Sequence, residues 1–510
     1  MQIELRCFEH AVVLAVSRSA AVKACSWIYR GVLGSILSII AAIIIPCFPA
    51  AASDPTWISF PAIERYRVEI VPQPLPVFSD GTEACMFAIA RLQWEDSGWE
   101  YSNVHYVPRE QTDYPGCHHT LTAVGPNAGG YPVGTVLEEY GQNWVIPIQS
   151  CPSSYTFVAS PDSNVRCGRW SNTVDPAKPP QCDADSTEVG NPIDCSGGSK
   201  IERRSDSIFA GFSLDLKFSS DNDLQLAPFG RNWSSVLSSE VVGDRTGEGM
   251  VFVFLSSGGV VPFVKSADGS WISQQSDVVG YELVERFNSD GSFSGWRLRA
   301  GSEADFFDSK GHIAAIERNG ILQVSIGRNP MGEPTSLVSP NGRSAVIHYS
   351  GYMKVDRIER PDGGVIVYGY DASNRLISVS VDGATTSYSY EDNASTTNIE
   401  LTEKLDETGA LQSSFSYDDT GRAITTQSTS GLNRYALNYD DTGDHVTVTT
   451  PLGSARDFYF DVYNNGRRLT KATATCSGCI SSETTYGYGE NGLLSAVTRN
   501  GSTTTYERDS

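Results

Sequence analysis

The sequence predicts an all-β protein: an extended sheet of stacked aromatic hairpins, preceded by a small disulfide-rich β-domain. Three observations predict it. First, one phrase recurs seven times between Tyr368 and Ser510: two aromatic or apolar residues one position apart, an acidic residue in most copies, then a turn. Its second aromatic falls at Tyr370, Tyr390, Tyr417, Tyr439, Phe460, Tyr488 and Tyr506, a period of roughly twenty residues that marks a repeat architecture. Second, Gly, Ser, Thr, Tyr and Asn are abundant, while few stretches carry apolar residues at helical spacing. Third, Asp-Gly, Asn-Gly and Gly-Gly pairs punctuate alternating apolar segments, and such pairs supply the positive φ of tight hairpins.

Taken in order, residues 1–52 read as a signal peptide. Arg6, Arg18, Lys23 and Arg30 precede an uncharged run from Gly31 to Ala52, and Ala50-Ala51-Ala52 offers a small-residue cleavage pattern with Ser53 as the mature start. An uncleaved anchor is the rival reading, because the run is nearly bilayer-length. The protein is therefore expected to be secreted or at the cell surface, touching membrane only if this segment is retained. A formal charge of −22 argues against nucleic acid as a partner, since phosphates demand basic stripes.

Residues 53–188 are expected to form a cysteine-containing N-terminal β-domain that ends in the proline-rich stretch Asp175–Cys182. Six cysteines, Cys85, Cys117, Cys151, Cys167, Cys182 and Cys195, cluster in residues 85–195. In an exported chain they read as three disulfides, with fifteen pairings open. Zinc is the weaker rival, because the spacings are wide and no Cys-x-x-Cys falls in the cluster. A second β-region spans 189–306, with a one-face-buried strand at Leu214-Asp-Leu216-Lys-Phe218 and an apolar strand at Met250–Leu255. Repeats fill 307–510. Phe307-Asp308 and Tyr349 already fit the phrase or its period. A single hairpin cannot bury its own apolar face, so neighbours must stack to share a core.

The phrase Tyr-x-Tyr-Asp-x-x-Gly-Arg-Leu resembles the YD-repeat of the Rhs family, whose animal relatives are the teneurins. The likeness is best at 368–379 and 415–422, and looser at 437–443, 458–469 and 486–497. Upstream, Val189-Gly-Asn-Pro-Ile193, Gly230-x-x-Trp233 and Phe307-Asp308-x-x-Gly311 resemble the segment preceding the repeats in bacterial members. The resemblance covers 189–510; residues 53–188 have no counterpart.

The resemblance implies a sheet that spirals into a hollow shell, enclosing in bacterial members a toxic C-terminal domain delivered to competitors. This chain departs from the pattern. The self-cleaving Asp-Pro-x-Gly-Leu element is not found: Asp54-Pro55 and Asp175-Pro176 lie upstream and neither leads into Gly-Leu. Seven repeats are too few to close a shell. The expectation is either a truncated reading frame or a partial shell completed by a toxin or other C-terminal partner polypeptide. A reading of a different class is cell-surface adhesion, with residues 53–188 binding carbohydrate.

No nucleophile elbow, phosphate loop or His-Glu-x-x-His motif occurs, so no catalytic, cofactor or metal residues are assigned and a non-catalytic scaffold is expected. His118-His119 beside Cys117 are read as a segment next to a disulfide rather than metal ligands. Cys476-Ser-Gly-Cys479 is read as a structural pair rather than a redox or zinc site. Acidic runs such as Asp440-Asp441-Thr-Gly-Asp444 lack EF-hand spacing and read as turn formers. The repeated tyrosines are expected in the core, where the ring packs and the hydroxyl reaches a polar partner.

Overall fold

Among the described residues, the N-terminal unit departs from pure β-structure at one helix, Gly81–Glu95. Asp80 starts it: its carboxylate accepts the Glu83 amide at 2.9 Å, the N-cap bond that satisfies an orphan donor of the first turn. Ala84, Cys85, Ala88 and Ile89 form the buried stripe. The Cys85–Cys117 disulfide ties the helix to strand Gly116–Ala123, and Phe78 and Val145 complete this small core. The described strands of the unit form three antiparallel three-stranded sheets.

The structure is a computed structural model and describes residues 57–507 apart from 62, 69–76, 79, 96–98, 109–110, 112–115, 125–131, 143, 151–155, 160–164, 171–187, 222–226, 246–249, 274–280, 352, 393–398, 464–465, 476–481 and 490–493. The leader, Cys151, the whole proline-rich stretch 175–182 with Cys182, and the Cys476–Cys479 pair lie outside the described residues.

Next comes a five-stranded antiparallel sheet, Glu188–Val189, Ile193–Asp194, Ser199–Phe209, Phe212–Ser219 and Trp233–Ser235. Strand Phe212–Ser219 shows why it forms: Phe212, Leu214, Leu216 and Phe218 alternate with more exposed residues, the period-2 signature of a strand with one dry face. From Glu240–Asp244 to Ser502–Thr505 the chain then forms one 25-stranded antiparallel sheet, each strand hydrogen-bonded to its sequence neighbours. The sheet curls enough for its first strand to meet the turn between its seventh and eighth: the Val241 amide donates to the Gly311 carbonyl at 2.8 Å.

The inward face of the large sheet is covered by the five-stranded one. Leu214, Phe218, Phe229 and Trp233 share a single core with residues of the large sheet from Val251 to Phe415. A second core joins Ile193 and Cys195 to Ala423, Leu437, Val446, Phe460 and Leu469. Specific polar contacts fix the fit, such as Tyr368 Oη donating to Asp206 at 2.9 Å and Trp233 Nε1 donating to Tyr390 Oη at 3.0 Å. Instead of the hollow interior that the resemblance implies, this part of the face is packed with the chain's own side chains.

One expectation is corrected. Cys195 carries a free thiol, so the six clustered cysteines do not form three bridges. The reason is its placement: it lies within the repeat core, and burial followed by the neighbouring Asp194 carboxylate pushes its thiol far above the usual range.

Candidate functional site: the tyrosine ladder and the packed rim

The repeated tyrosines build a ladder. In each case the hydroxyl of one repeat donates to the backbone carbonyl of the residue that pairs across strands with the previous repeat's tyrosine. Tyr349 pairs with Val355, and Tyr370 Oη donates to the Val355 carbonyl at 2.7 Å. Tyr370 pairs with Leu376, which receives Tyr390 at 2.8 Å; Tyr390 pairs with Leu401, which receives Tyr417 at 2.7 Å. Tyr417 pairs with Ala423, which receives Tyr439 at 3.0 Å. Phe460 has no hydroxyl to give, so its rung is missing, and Tyr488 resumes the series by donating to Leu469 at 2.7 Å. Burial is the main cause that pushes the Tyr390, Tyr417 and Tyr439 hydroxyls well above their ordinary range.

The ladder starts upstream of the tyrosines. Tyr349 Oη donates to the Pro334 carbonyl, and Pro334 pairs with Arg328. Arg328 takes the tyrosine's place: its guanidinium donates from Nε (3.3 Å) and Nη2 (3.1 Å) to the carbonyl of Ile313, the partner of Phe307. Register shifts at Phe287, Phe307, Arg328 and Tyr349 match those at Tyr370, Tyr390, Tyr417, Phe460 and Tyr488. Sequence reading missed Phe287 and Arg328, because it sought an aromatic-acid phrase: Phe287 marks only the register shift, and Arg328 makes its rung with a guanidinium in place of a tyrosine. The even spacing of 287, 307, 328, 349 and 370 was the available signal.

The rest of the phrase builds the turn. Asp418 Oδ1 accepts the amides of Thr420 (3.0 Å) and Arg422 (2.9 Å), while Oδ2 accepts Arg422 Nε at 2.8 Å. The Arg422 guanidinium then lies 4.6 Å from the ring centre of Tyr439 in the next repeat. Asp371, Arg375 and Tyr390 repeat the arrangement, with the ion pair at 2.6 Å and the ring at 5.7 Å. Burial alone would raise the Asp371 and Asp418 carboxyls, but the bonds from backbone and arginine, led at Asp418 by the Thr420 hydroxyl, outweigh it and both lie below the usual range.

From Gly311 onward the two rims of the array differ. On the rim of the aspartate turns, N-terminal segments press against the backbone: Arg231 N donates to Asn374 O at 2.8 Å, Val355 N to Pro228 O at 2.9 Å, and Ala423 N to Gly198 O at 2.7 Å. A Cβ on Gly311 would lie 2.0 Å from the Val241 oxygen, and one on Gly332 2.7 Å from Glu83 Oε2. On the other rim, a Cβ added to any of the turn glycines Gly320, Gly342, Gly363, Gly383, Gly409 and Gly453 would meet nothing within 4 Å.

Glu83, at the start of the helix, joins the N-terminal unit to the packed rim. Its buried carboxylate lies 3.0 Å from Lys310 Nζ and 3.3 Å from His312 Nε2, while His312 Nδ1 is 3.7 Å from Asp308. Burial raises the Glu83 carboxyl, and His312 and Lys310 only partly offset it.

His118 and His119 sit side by side on strand Gly116–Ala123, both buried. The His118 ring packs on His105, and the His119 ring lies between Tyr101 and Trp144, each 5.2 Å away. Among the described residues, no group of three or more His, Cys, Asp or Glu side chains is placed to hold a metal.

No family model matches the chain, and no curated protein sequence matches it. Among solved structures, it is similar to TcdB2-TccC3, at 11% identity and a TM-score of 0.22 over 88% of this chain and 32% of that one. It is also similar to TcdB2-TccC3 without its hypervariable C-terminal region, at 10% identity and 0.24 over 78% and 22%. A third is the Tc holotoxin pore of Photorhabdus luminescens carrying a substituted TccC3, at 10% identity and 0.20 over 79% and 26%. This chain spans less than a third of each. The geometry itself defines a class: an all-β repeat protein whose hairpins are joined by a hydroxyl-to-carbonyl ladder.

Proposed function

We propose that the chain is an exported, non-catalytic scaffold of the Rhs or YD-repeat kind, part of a contact-dependent toxin delivery system. The observation that carries the reading is the ladder. Tyrosine and arginine of the phrase reach the neighbouring repeat while aspartate and glycine shape the turn, so the motif's chemistry goes into building a wall.

Because the five-stranded sheet and the residues next to it pack on the inner face of the wall as far as Leu469, cargo space would have to come from added wall. Strand Ser502–Thr505 ends the sheet with every side chain exposed, and an open edge of this kind pairs readily with further strands. In this reading a toxin-bearing partner polypeptide extends the sheet there and is held by the wall. The test is co-expression of the full chain with the polypeptide encoded immediately downstream. The proposal expects co-purification and resistance of the partner to trypsin; a partner that neither associates nor gains protection, or the lack of any such polypeptide, contradicts it.

A further inference from the structure

Two imidazoles of the N-terminal unit lie face to face across a strand pair. Strands Trp99–Val107, Gly116–Ala123 and Val136–Gln142 form one of its sheets, and His105 pairs directly with His118 in it. Successive side chains of a strand point to opposite faces. Cys117 packs in the small core beneath the helix, so His118 belongs to the other face. That face is polar: Thr120 and Thr122 follow His118 along it, opposite Ser102 and Glu100 on one side and, for Thr120, Glu138 on the other. The sequence neighbours His118 and His119 therefore diverge, while His105 and His118 come together.

A bulge aims His105. The pairing shifts register between Ser102 and His105, with Asn103 at a φ of 55°, and such an irregularity re-aims the side chain beside it. Asn103 Nδ2 donates to Thr120 Oγ1 at 3.2 Å, which ties the bulge to the neighbouring strand. The Asn103 carbonyl lies 2.8 Å from His105 Nδ1. A carbonyl can only accept, so Nδ1 carries the proton and Nε2 of the neutral ring keeps its lone pair. Metal-bound histidines share this arrangement, one nitrogen donating to a carbonyl and the other holding the ion.

His118 offers the second ring. The Cys85–Cys117 disulfide pins the residue before it, and the two ring centres lie 5.4 Å apart with their planes inclined by 56°. Two imidazoles that bind one ion through nitrogens at about 2.1 Å, at adjacent coordination positions, have their centres about 5 Å apart. His118 makes a further contact of its own, and an imidazole can keep a partner on one nitrogen while the other binds metal. Glu100 and Glu138, on the same face, add a negative potential that favours a cation.

We propose that His105, through Nε2, and His118 chelate a divalent ion of the late transition metals, with water completing its coordination. Imidazole suits copper, nickel and zinc, and affinity at a given nitrogen site is greatest for Cu(II), which is the ion expected to bind most tightly.

The test is titration calorimetry of the full chain, free of any histidine tag, with Cu(II) and Zn(II) chlorides near neutral pH, joined to electron paramagnetic resonance of the Cu(II) form. A micromolar dissociation constant is expected for Cu(II), about tenfold or more tighter than for Zn(II), with hyperfine coupling to two imidazole nitrogens. His105→Ala should weaken Cu(II) at least tenfold and remove one nitrogen coupling, and His118→Gln should do the same. His105 is exposed, so its variant is expected to fold, as thermal melts would verify. His348→Ala, on the large sheet, should leave affinity and spectrum unchanged. Lack of Cu(II) binding at about 1 mM, or an unchanged affinity and spectrum in His105→Ala, overturns the proposal.

Discussion

The hydroxyl of Tyr417 donates at 2.7 Å to the carbonyl of Leu401, the residue that pairs across strands with Tyr390 in the preceding repeat. One bond thus joins two hairpins at the point where each ladder shifts register. Where the array keeps a tyrosine, it gains both a buried ring and a donor that no other aromatic residue offers in the same place.

Tyr417→Phe should therefore cost about 1 kcal/mol, the usual worth of one hydrogen bond, and Tyr417→Ala about 3–5 kcal/mol from the cavity as well. The reverse change, Phe460→Tyr, restores the missing rung and should be neutral or stabilising. Urea denaturation of the three variants checks the order.

The two rims should respond differently to the same substitution. Gly311 has a φ of 90° and faces the Val241 carbonyl, whereas Gly320 has a φ of 73° and open space. Gly320→Ala should cost about 1 kcal/mol from backbone strain alone, and Gly311→Ala distinctly more because the first strand must also move. Thermal melts distinguish the two.

Contact of the N-terminal unit with the rim should depend on pH. Because its carboxyl is raised from 4.5 in the folded protein, Glu83 contributes stability that is present below that value and lost as pH rises through the raised one. Glu83→Gln should flatten this dependence. Lys310→Met leaves the buried carboxylate with His312 alone and should weaken docking by about 1–2 kcal/mol near neutrality. Hydrogen exchange of Gly81–Glu95 against pH is the readout.

Much of this was legible in the sequence. The spacing from Tyr370 to Tyr488 located the hairpins, and Asp with Gly or Asn located their turns. Arg328 was not legible as a rung, because its role is defined by a carbonyl in another strand. The helix at Gly81–Glu95 was not foreseen, because residues 53–188 were read as strands and turns; Asp80 caps it, while Glu83 turns away to Lys310. The covering of the inner face rests on contacts such as Tyr370 with Pro228, 142 residues apart, which no local pattern encodes.

The Cys85–Cys117 bridge should hold the N-terminal unit independently of the array. Cys85–Cys117 spans 32 residues, and its loss should cost about 3–4 kcal/mol by loop-closure entropy. Reductant should expose residues 57–150 to protease while the array persists. Cys195, buried and held as a thiol, should resist iodoacetamide until the repeats unfold.

Amide hydrogen exchange along residues 240–505 tests the central claim most directly. Neighbouring hairpins that share one sheet and one ladder should show continuous protection across successive repeats, with Tyr417→Phe raising exchange in the hairpins on both sides. Protection confined to separate hairpins, with no effect of Tyr417→Phe on strand Ile399–Leu405, would contradict the account.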